Sequence, residues 1–473
     1  MKEVLPWSWK VCIFFFVFPA LSFGMSSDQK FAQLKQKLLH EQIQLNHQSE
    51  EIKQLQKRLV SITNSTAKKP VSKSTKLAYH VQSSGVITRA TTPASFVKMR
   101  KPVKTRVASH RRSNVVNQAT TPGNFVVSDK PVNLKIFGHI NQAMLYADDG
   151  VEHNLFFTSN ANSIPRLNVL GTVKANDDVS VGGQIQLGFK VNSSGEVSQA
   201  DHSPSTSIDI RKLEVFVASK KAGKLWLGKG STSSDNTAEM DLSGTSVVSY
   251  ASVSDMGGGL FFRLPNDAAT YTNNPRVSDA FDDLDGLSRK NRIRYDTPSV
   301  LGFTLSTSAS ENCGNDVALI YGKKIDGNEI AGAIAYTTPR DFSDINGNLL
   351  SRGNILDGSL SILLYNGLNG TVAGGRLYSK LANRKGANYY YGKLGYQHKF
   401  IPSGKTAISI DYGKYDDFAQ NDDVGKVYDA DIVQDIVDWN LAVYAGYRRF
   451  MLHRVNTAFK AINAVIAGAI FKF

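Results

Sequence analysis

The chain has 473 residues, 41% of them hydrophobic, and a formal net charge of +14; it is too long for one ordinary domain. Its two cysteines, Cys12 and Cys313, exclude a disulfide framework and a paired-cysteine metal site. The positive charge is local: thirteen Lys or Arg stand against the single acid Asp129 between Thr63 and Lys130, while residues 131–473 carry 34 basic and 35 acidic residues.

The first element is the only stretch apolar enough to suggest a membrane helix, "VCIFFFVFPALSFG" at 11–24. It falls short of the roughly 20 apolar residues that a span requires. It follows Lys2 and Lys10 and ends in Ser22-Phe23-Gly24, so residues 1–24 read as a secretory signal peptide that takes Cys12 with it. Residues 25–62 read as a coiled coil. With Phe31 at the first core position, the seam runs through Leu34, Leu38, Leu45, Ile52, Leu55, Leu59 and Ile62, interrupted by Glu41 and Gln48. A helix this polar draws its stability from self-association. Residues 63–130 read as a basic low-complexity linker containing a duplicated scrap, "ATTPASFV" and "ATTPGNFV". Its "KMRKPVKTR" and "HRR" runs suit an anionic surface such as cell-wall polymer. Nucleic acid is disfavoured, because the chain is exported and no folded module surrounds the basic run.

From Leu134 the pattern becomes two-residue alternation. In "LKIFGHINQAMLY", Ile136, Ile140, Met144 and Tyr146 alternate with Lys135, His139 and Asn141. "VSVGGQIQLGFK", "KTAISIDYGKY" and "LAVYAGYRRF" repeat the scheme, punctuated by "NDD", "DGN", "NGN" and "PSG". Apolar faces opposite faces of Lys, Arg, His, Gln and Asn fit a barrel with lipid outside and water inside better than a packed sandwich. The tyrosines of "ANYYYGKLGYQHKF" suit an interfacial girdle. Roughly 340 residues over 16 strands leaves about 21 for each strand and its connection. The fold expected for 131–473 is therefore an all-β, 16-stranded antiparallel transmembrane barrel. Phe471 and Phe473, on one face of the last strand, mark its closure.

"NRIRYDTPSVLGFTLSTSAS" (291–310), "LKIFGHI" (134–140), "LWLGKG" (225–230) and "NYYYGKLGYQHKFIPSGKTAISIDYG" (388–413) resemble the trimeric general porins of Gram-negative outer membranes. The coiled coil ahead of the barrel is similar to that of certain substrate-selective porins, where it lies in the periplasm. The resemblance implies a homo-oligomer, a trimer in that family, set in outer-membrane lipid and assembled by machinery that reads the terminal Phe473. It also implies a third loop folded into the lumen, here 230–259, which holds Asp235, Glu239, Asp241 and Asp255 and no Lys or Arg. Opposite it would stand a basic wall matched to Arg166, Arg211, Arg292 and Arg294. Strand phase turns Arg166, Arg292 and Arg294 inward; Arg211 requires a bulge. The family's Pro-Glu-Phe turn is absent from this loop.

No His-Glu-x-x-His, Gly-x-Ser-x-Gly or phosphate-loop pattern occurs, and no cofactor, metal or catalytic residue is expected. "FDDLDG", with Asp282, Asp283 and Asp285, reads as a polar external loop rather than a cation site. The function expected is passive diffusion of small hydrophilic solutes and ions through a water-filled pore. The alternatives are a selective uptake porin, for siderophores or organic anions, and an envelope tether anchored by its barrel.

Overall fold

A computed structural model describes residues 123–125, 132–265, 271–311, 314–343 and 349–473. The expected signal peptide and coiled coil, and all of the linker but Gly123–Phe125, lie outside the described residues. That short piece is a strand rather than spacer, pairing with Val132–Leu134.

The alternation of apolar and polar residues gives one antiparallel sheet that closes on itself. Setting aside Gly123–Phe125, sixteen wall strands are present among the described residues. They are β1 (Val132–Asp148), β2 in two halves (His153–Ser159 and Arg166–Lys174), β3 (Val179–Lys190), β4 (Ser207–Ser219) and β5 (Gly223–Ser231). β6 (Arg289–Asp296), β7 (Phe303–Ser310), β8 (Gly314–Ile325), β9 (Asn328–Ser343), β10 (Leu349–Leu363) and β11 (Leu368–Ser379) follow. The wall ends with β12 (Asn388–Ile401), β13 (Gly404–Asp416), β14 (Val424–Ile436), β15 (Leu441–His453) and β16 (Ile462–Lys472). β16 pairs with β1 from Asn463↔Asp148 to Lys472↔His139. The Phe473 amide donates to the Gly138 carbonyl at 3.0 Å, and the Phe473 carbonyl accepts the Gly138 amide at 2.8 Å, completing the seam. Closure leaves no sheet edge, which a lipid environment demands of β-structure.

The burial pattern is inverted relative to a soluble protein. Ile136, Leu394 and Ile410 are 56%, 64% and 62% exposed, while Asn141, Lys393 and Arg448 are buried. The apolar side chains face lipid and the polar ones face the interior. Phe303, Phe400, Phe471 and Phe473 lie outward near one rim; Tyr390, Tyr412, Tyr428 and Tyr447 lie outward near the other. Tyr389 and Tyr391 depart from the girdle expected of them. They point inward and are fully buried, because alternate residues of β12 face opposite sides.

Two irregularities shape the interior. β2 is interrupted: Ser159 pairs with Gln142 and Arg166 with His139, so six residues, 160–165, stand opposite only Ile140 and Asn141. The excess folds inward as a short turn containing Ala161–Ser163. In β4 the register jumps between Gln186↔Lys212 and Leu187↔Ile210, leaving Arg211 as the bulge residue. The bulge lets Arg211 and Lys212 both reach the interior, as the sequence required for Arg211.

Candidate constriction of the lumen

After β5 the chain turns into the barrel and returns only at β6, so residues 232–288 lie between two adjacent wall strands in sequence. Its first half is rich in Ser and Thr, and the wall opposite is rich in Asp. Hydroxyl and amide donors of the loop therefore meet carboxylate and hydroxyl acceptors on the strands. The Ser234 amide and hydroxyl donate to Asp316 of β8, at 2.9 and 2.5 Å. The Thr237 hydroxyl donates to Asp357 of β10. The Met240 and Leu242 amides donate to Ser359 and Ser361, each at 2.9 Å. Thr245 meets Ser409 of β13 at 2.7 Å, and the Ser249 hydroxyl donates to Asp411 at 2.9 Å.

The strongest anchorage is a row of charges across four strands. Lys393 of β12 is paired in register with Asp411, Asp411 with Asp429 of β14, and Asp429 with Arg448 of β15. Lys393 reaches Asp241 at 3.0 Å and donates to Thr245 at 3.1 Å. Arg448 donates to Asp429, to the Ser249 hydroxyl at 2.8 Å and to the Val253 carbonyl. All are buried, where charges persist only when paired and hydrogen-bonded.

The loop then reaches the inward turn of β2. The Asn160 side-chain amide donates to the Val247 carbonyl at 2.8 Å and to the Tyr444 hydroxyl at 2.9 Å. Ser194, in the β3–β4 connection, donates to the Asp255 carbonyl at 2.8 Å and accepts from the Ala161 amide at 2.9 Å. The loop, which also bonds Ser306 and Ser308 of β7 through Ser233, thus coats the wall from β7 through β15 and meets the projection from β2, leaving β3 to β6 facing it. The described residues of the second half, 260–265 and 271–288, pack an apolar core inside the barrel. Phe281 lies 4.9 Å from Tyr415, 5.3 Å from Phe450 and 6.3 Å from Phe262, ring centre to ring centre.

The bare wall is basic. Arg166 donates to the Ile164 carbonyl at 3.0 Å, and Arg211 to Gln186 at 3.0 Å. Among the described residues neither has a carboxylate within ion-pair distance. Arg211 lies flat over Gly188, where a β-carbon would stand 2.7 Å from its Cδ. Arg166 lies within electrostatic reach of Arg211, Arg289, Tyr250 and Glu239. Arg292 and Arg294 face inward with Ile293 and Tyr295 outward. Arg292, however, is not a surface of the pore. It is buried against Glu214 and donates to the Ser231 and Gly228 carbonyls at 2.9 and 3.1 Å. Arg294 pairs with Asp296 at 2.7 Å and donates to the Thr232 carbonyl at 2.7 Å, pinning the root of the loop.

The four loop acids divide likewise. Asp241 points away from the lumen into the Lys393 anchor, contrary to the expectation that it lines the constriction. Asp235 pairs with Arg289 at 3.4 Å. Asp255 accepts the Tyr250 hydroxyl, and burial pushes its carboxyl up to about 6 against the lowering effect of that bond. Glu239 has no side-chain partner among the described residues. Burial, then the nearby Asp285 and Asp283, holds it well above the usual carboxylate range. "FDDLDG" is not an external loop: Asp283 and Asp285 are buried inside the barrel, and Asp285 accepts the Asn236 amide at 2.8 Å. Asp283 is pushed up to about 7 by burial and by Asp282 and Asp255. No group of carboxylates and histidines suited to a metal occurs among the described residues.

Sequence reasoning missed Arg289, Lys212, Tyr250 and the β2 projection. The last has a signal, since "SNANSIP" is a turn-forming cluster inside a strand pattern.

The sequence profile of Gram-negative porins matches residues 115–452. No curated protein matches the chain by sequence. Among solved structures, the anion-selective porin from Comamonas acidovorans superposes with a TM-score of 0.51 at 14% identity, over 72% of this chain and 100% of that one. The outer membrane channel DcaP of Acinetobacter baumannii gives 0.47 at 13% identity, over 74% and 99%. Salmonella typhi OmpF gives 0.45 at 14% identity, over 72% and 98%. The Comamonas likeness shows a shared fold.

Proposed function

The chain belongs to the Gram-negative porin family and forms an outer-membrane channel, and we propose that this channel passes small hydrophilic solutes with a preference for anions. The observation that carries the preference is an asymmetry of compensation. Asp235 and Asp241 are ion-paired, while among the described residues Arg166 and Arg211 bond only neutral acceptors. Where acids crowd together they take up protons; a guanidinium keeps its charge. The uncompensated field in the gap is therefore positive, and low-dielectric walls concentrate it. Family and fold point to a channel rather than an enzyme.

The outward faces of β15, β16 and β1 to β3 carry Ala445, Ala467, Ala469, Gly171 and Gly183 around the polar Gln142. Small residues allow close backbone approach between membrane proteins, which supports a homo-oligomer, a trimer in our reading, joined there. The coiled coil would stand in the periplasm, with the basic linker against cell-wall polymer. A selective organic-anion uptake channel is the second reading, favoured by the packed residues 260–265 and 271–288, which narrow the lumen beyond what a single loop does.

Single-channel recording of the full chain in a planar bilayer tests the preference. The reversal potential under a salt gradient should indicate anion selectivity and move toward cations in Arg166→Gln/Arg211→Gln. An unchanged reversal potential in the variant would refute the role of these two arginines. Loss of all conductance from the unaltered protein would refute the open channel.

A further inference from the structure

Outside the lumen, the rim that carries Tyr390, Tyr412, Tyr428 and Tyr447 has a feature that transport does not use. One step beyond these tyrosines, on the same lipid-facing side, stand Lys414 of β13, Lys426 of β14 and Arg449 of β15. Their orientation follows from strand phase: the intervening Tyr415, Val427, Arg448 and Phe450 are buried in the interior. Lys414 and Lys426 are direct partners in register, and Arg449 is the partner of Tyr428, two residues along from Lys426. Like charges placed directly opposite on a sheet destabilise it.

Local compensation is incomplete. Lys414 has Asp416 at 2.7 Å, and among the described residues Arg449 donates only to the neutral Asn463, at 3.2 Å. Lys426 has no ion-pair partner among the described residues. One acid therefore answers three cations. Arg376 of β11 adds a fourth on the same outer side, set over the Tyr378 ring at 5.5 Å. The depth of the group is fixed by its neighbours. Tyrosines mark the boundary between hydrocarbon and headgroups, and the Tyr412 and Tyr428 rings, 5.1 Å apart, lie immediately on the hydrocarbon side of the lysines. This rim bears the long connections, the external side of such barrels.

We infer that Lys414, Lys426 and Arg449 form a binding site for the phosphate-bearing headgroup of an outer-leaflet lipid, whose acyl chains lie along Ile410, Ile432 and Val443. The phosphate supplies the counter-charge that the Lys414–Lys426 pair lacks, and the tyrosine belt holds it at the right height. A soluble anion could satisfy the charge but would gain nothing from the apolar strip below.

The test uses the full-length protein in detergent, with bound lipid counted by native mass spectrometry. The probes are bisphosphorylated lipid A, its dephosphorylated form, and inorganic pyrophosphate. The bisphosphorylated lipid should bind the unaltered protein and bind Lys414→Gln/Lys426→Gln/Arg449→Gln on the order of a hundredfold more weakly, from about fivefold per basic residue near an anionic surface. The charge-conserving Lys414→Arg/Lys426→Arg/Arg449→Lys should retain binding. Equal binding by the Gln variant would overturn the site. So would equal binding of the dephosphorylated lipid, or pyrophosphate bound as tightly as the lipid. If the triple Gln variant does not assemble, Lys426→Gln alone gives the same comparison. Conductance in bilayers without the lipid should be the same for all variants, so the outcome does not depend on the pore's ion preference.

Discussion

Replacing Lys393 with methionine should undock the middle of the lumen loop without opening the barrel. The side chain is completely buried, 3.0 Å from Asp241 and 4.0 Å from Asp411, and also bonds Thr245. Methionine has similar length but leaves both carboxylates without their cation. Removing one partner of a buried ion pair costs about 3–5 kcal/mol. At about 1.4 kcal/mol per factor of ten, a cost near 4 kcal/mol raises the undocked population of residues 241–251 about a thousandfold. The wall is held by its own hydrogen-bond ladders, so assembly should survive. The assay is the rate at which a water-soluble thiol reagent modifies Val248→Cys, with the native cysteines changed to serine. Val248 belongs to this segment and is fully buried, and its apolar side chain takes no part in the charge row. The rate should rise steeply in Lys393→Met, with noisier open-channel current, and fall back when Asp241→Asn is added. Equal reactivity in Lys393→Met and the parent would refute the reading of this row as the loop's anchor.

Lowering the pH from 8 to 5 should strengthen the anion preference. Asp283, pushed up to about 7, and Asp255, up to about 6, lose negative charge as pH falls through those values, and the arginines keep theirs; reversal potentials across the range measure it. Phe281→Ala removes the ring shared by Tyr415, Phe450 and Phe262 and should cost about 3–5 kcal/mol. It should lower the midpoint of heat-induced gel-mobility change and raise conductance. Replacing residues 160–165 by two residues should restore a continuous β2 and widen the gap. Uptake of larger sugars into liposomes would increase, and an unchanged size limit would show that the projection does not bound the pore.

The barrel is legible in the sequence because lipid outside and water inside impose opposite chemistry on alternate residues. "LKIFGHINQAMLY" displays both faces without any knowledge of neighbours. The inward sense of Arg166, Arg292 and Arg294 follows from the same local rule. What each inward charge does is not local. Arg292 bears on Glu214, 78 residues away in sequence, and Asp241 on Lys393, 152 away. The sequence therefore marks them as polar lumen residues and cannot separate those that face water from those that fasten the loop. Arg211-Lys212, two charges in succession, breaks the alternation and signals the bulge. The buried Asp283 and Asp285 look like a solvated loop because acid-rich, glycine-containing stretches usually are.

The seam between β1 and β16 places a limit on how this wall can be built. Asn463 must find Asp148, and Lys472 must find His139, so the pairing closes a loop of more than three hundred residues. Every other pair of wall strands is adjacent in the chain and can zip hairpin by hairpin. Contacts of such long range form slowly, because the closure entropy comes before any reward. Until that last register is found, the sheet has two open edges, both able to recruit a foreign strand. The kinetic hazard of this fold is concentrated in one joint, and protection of nascent chains from aggregation matters most just before it forms.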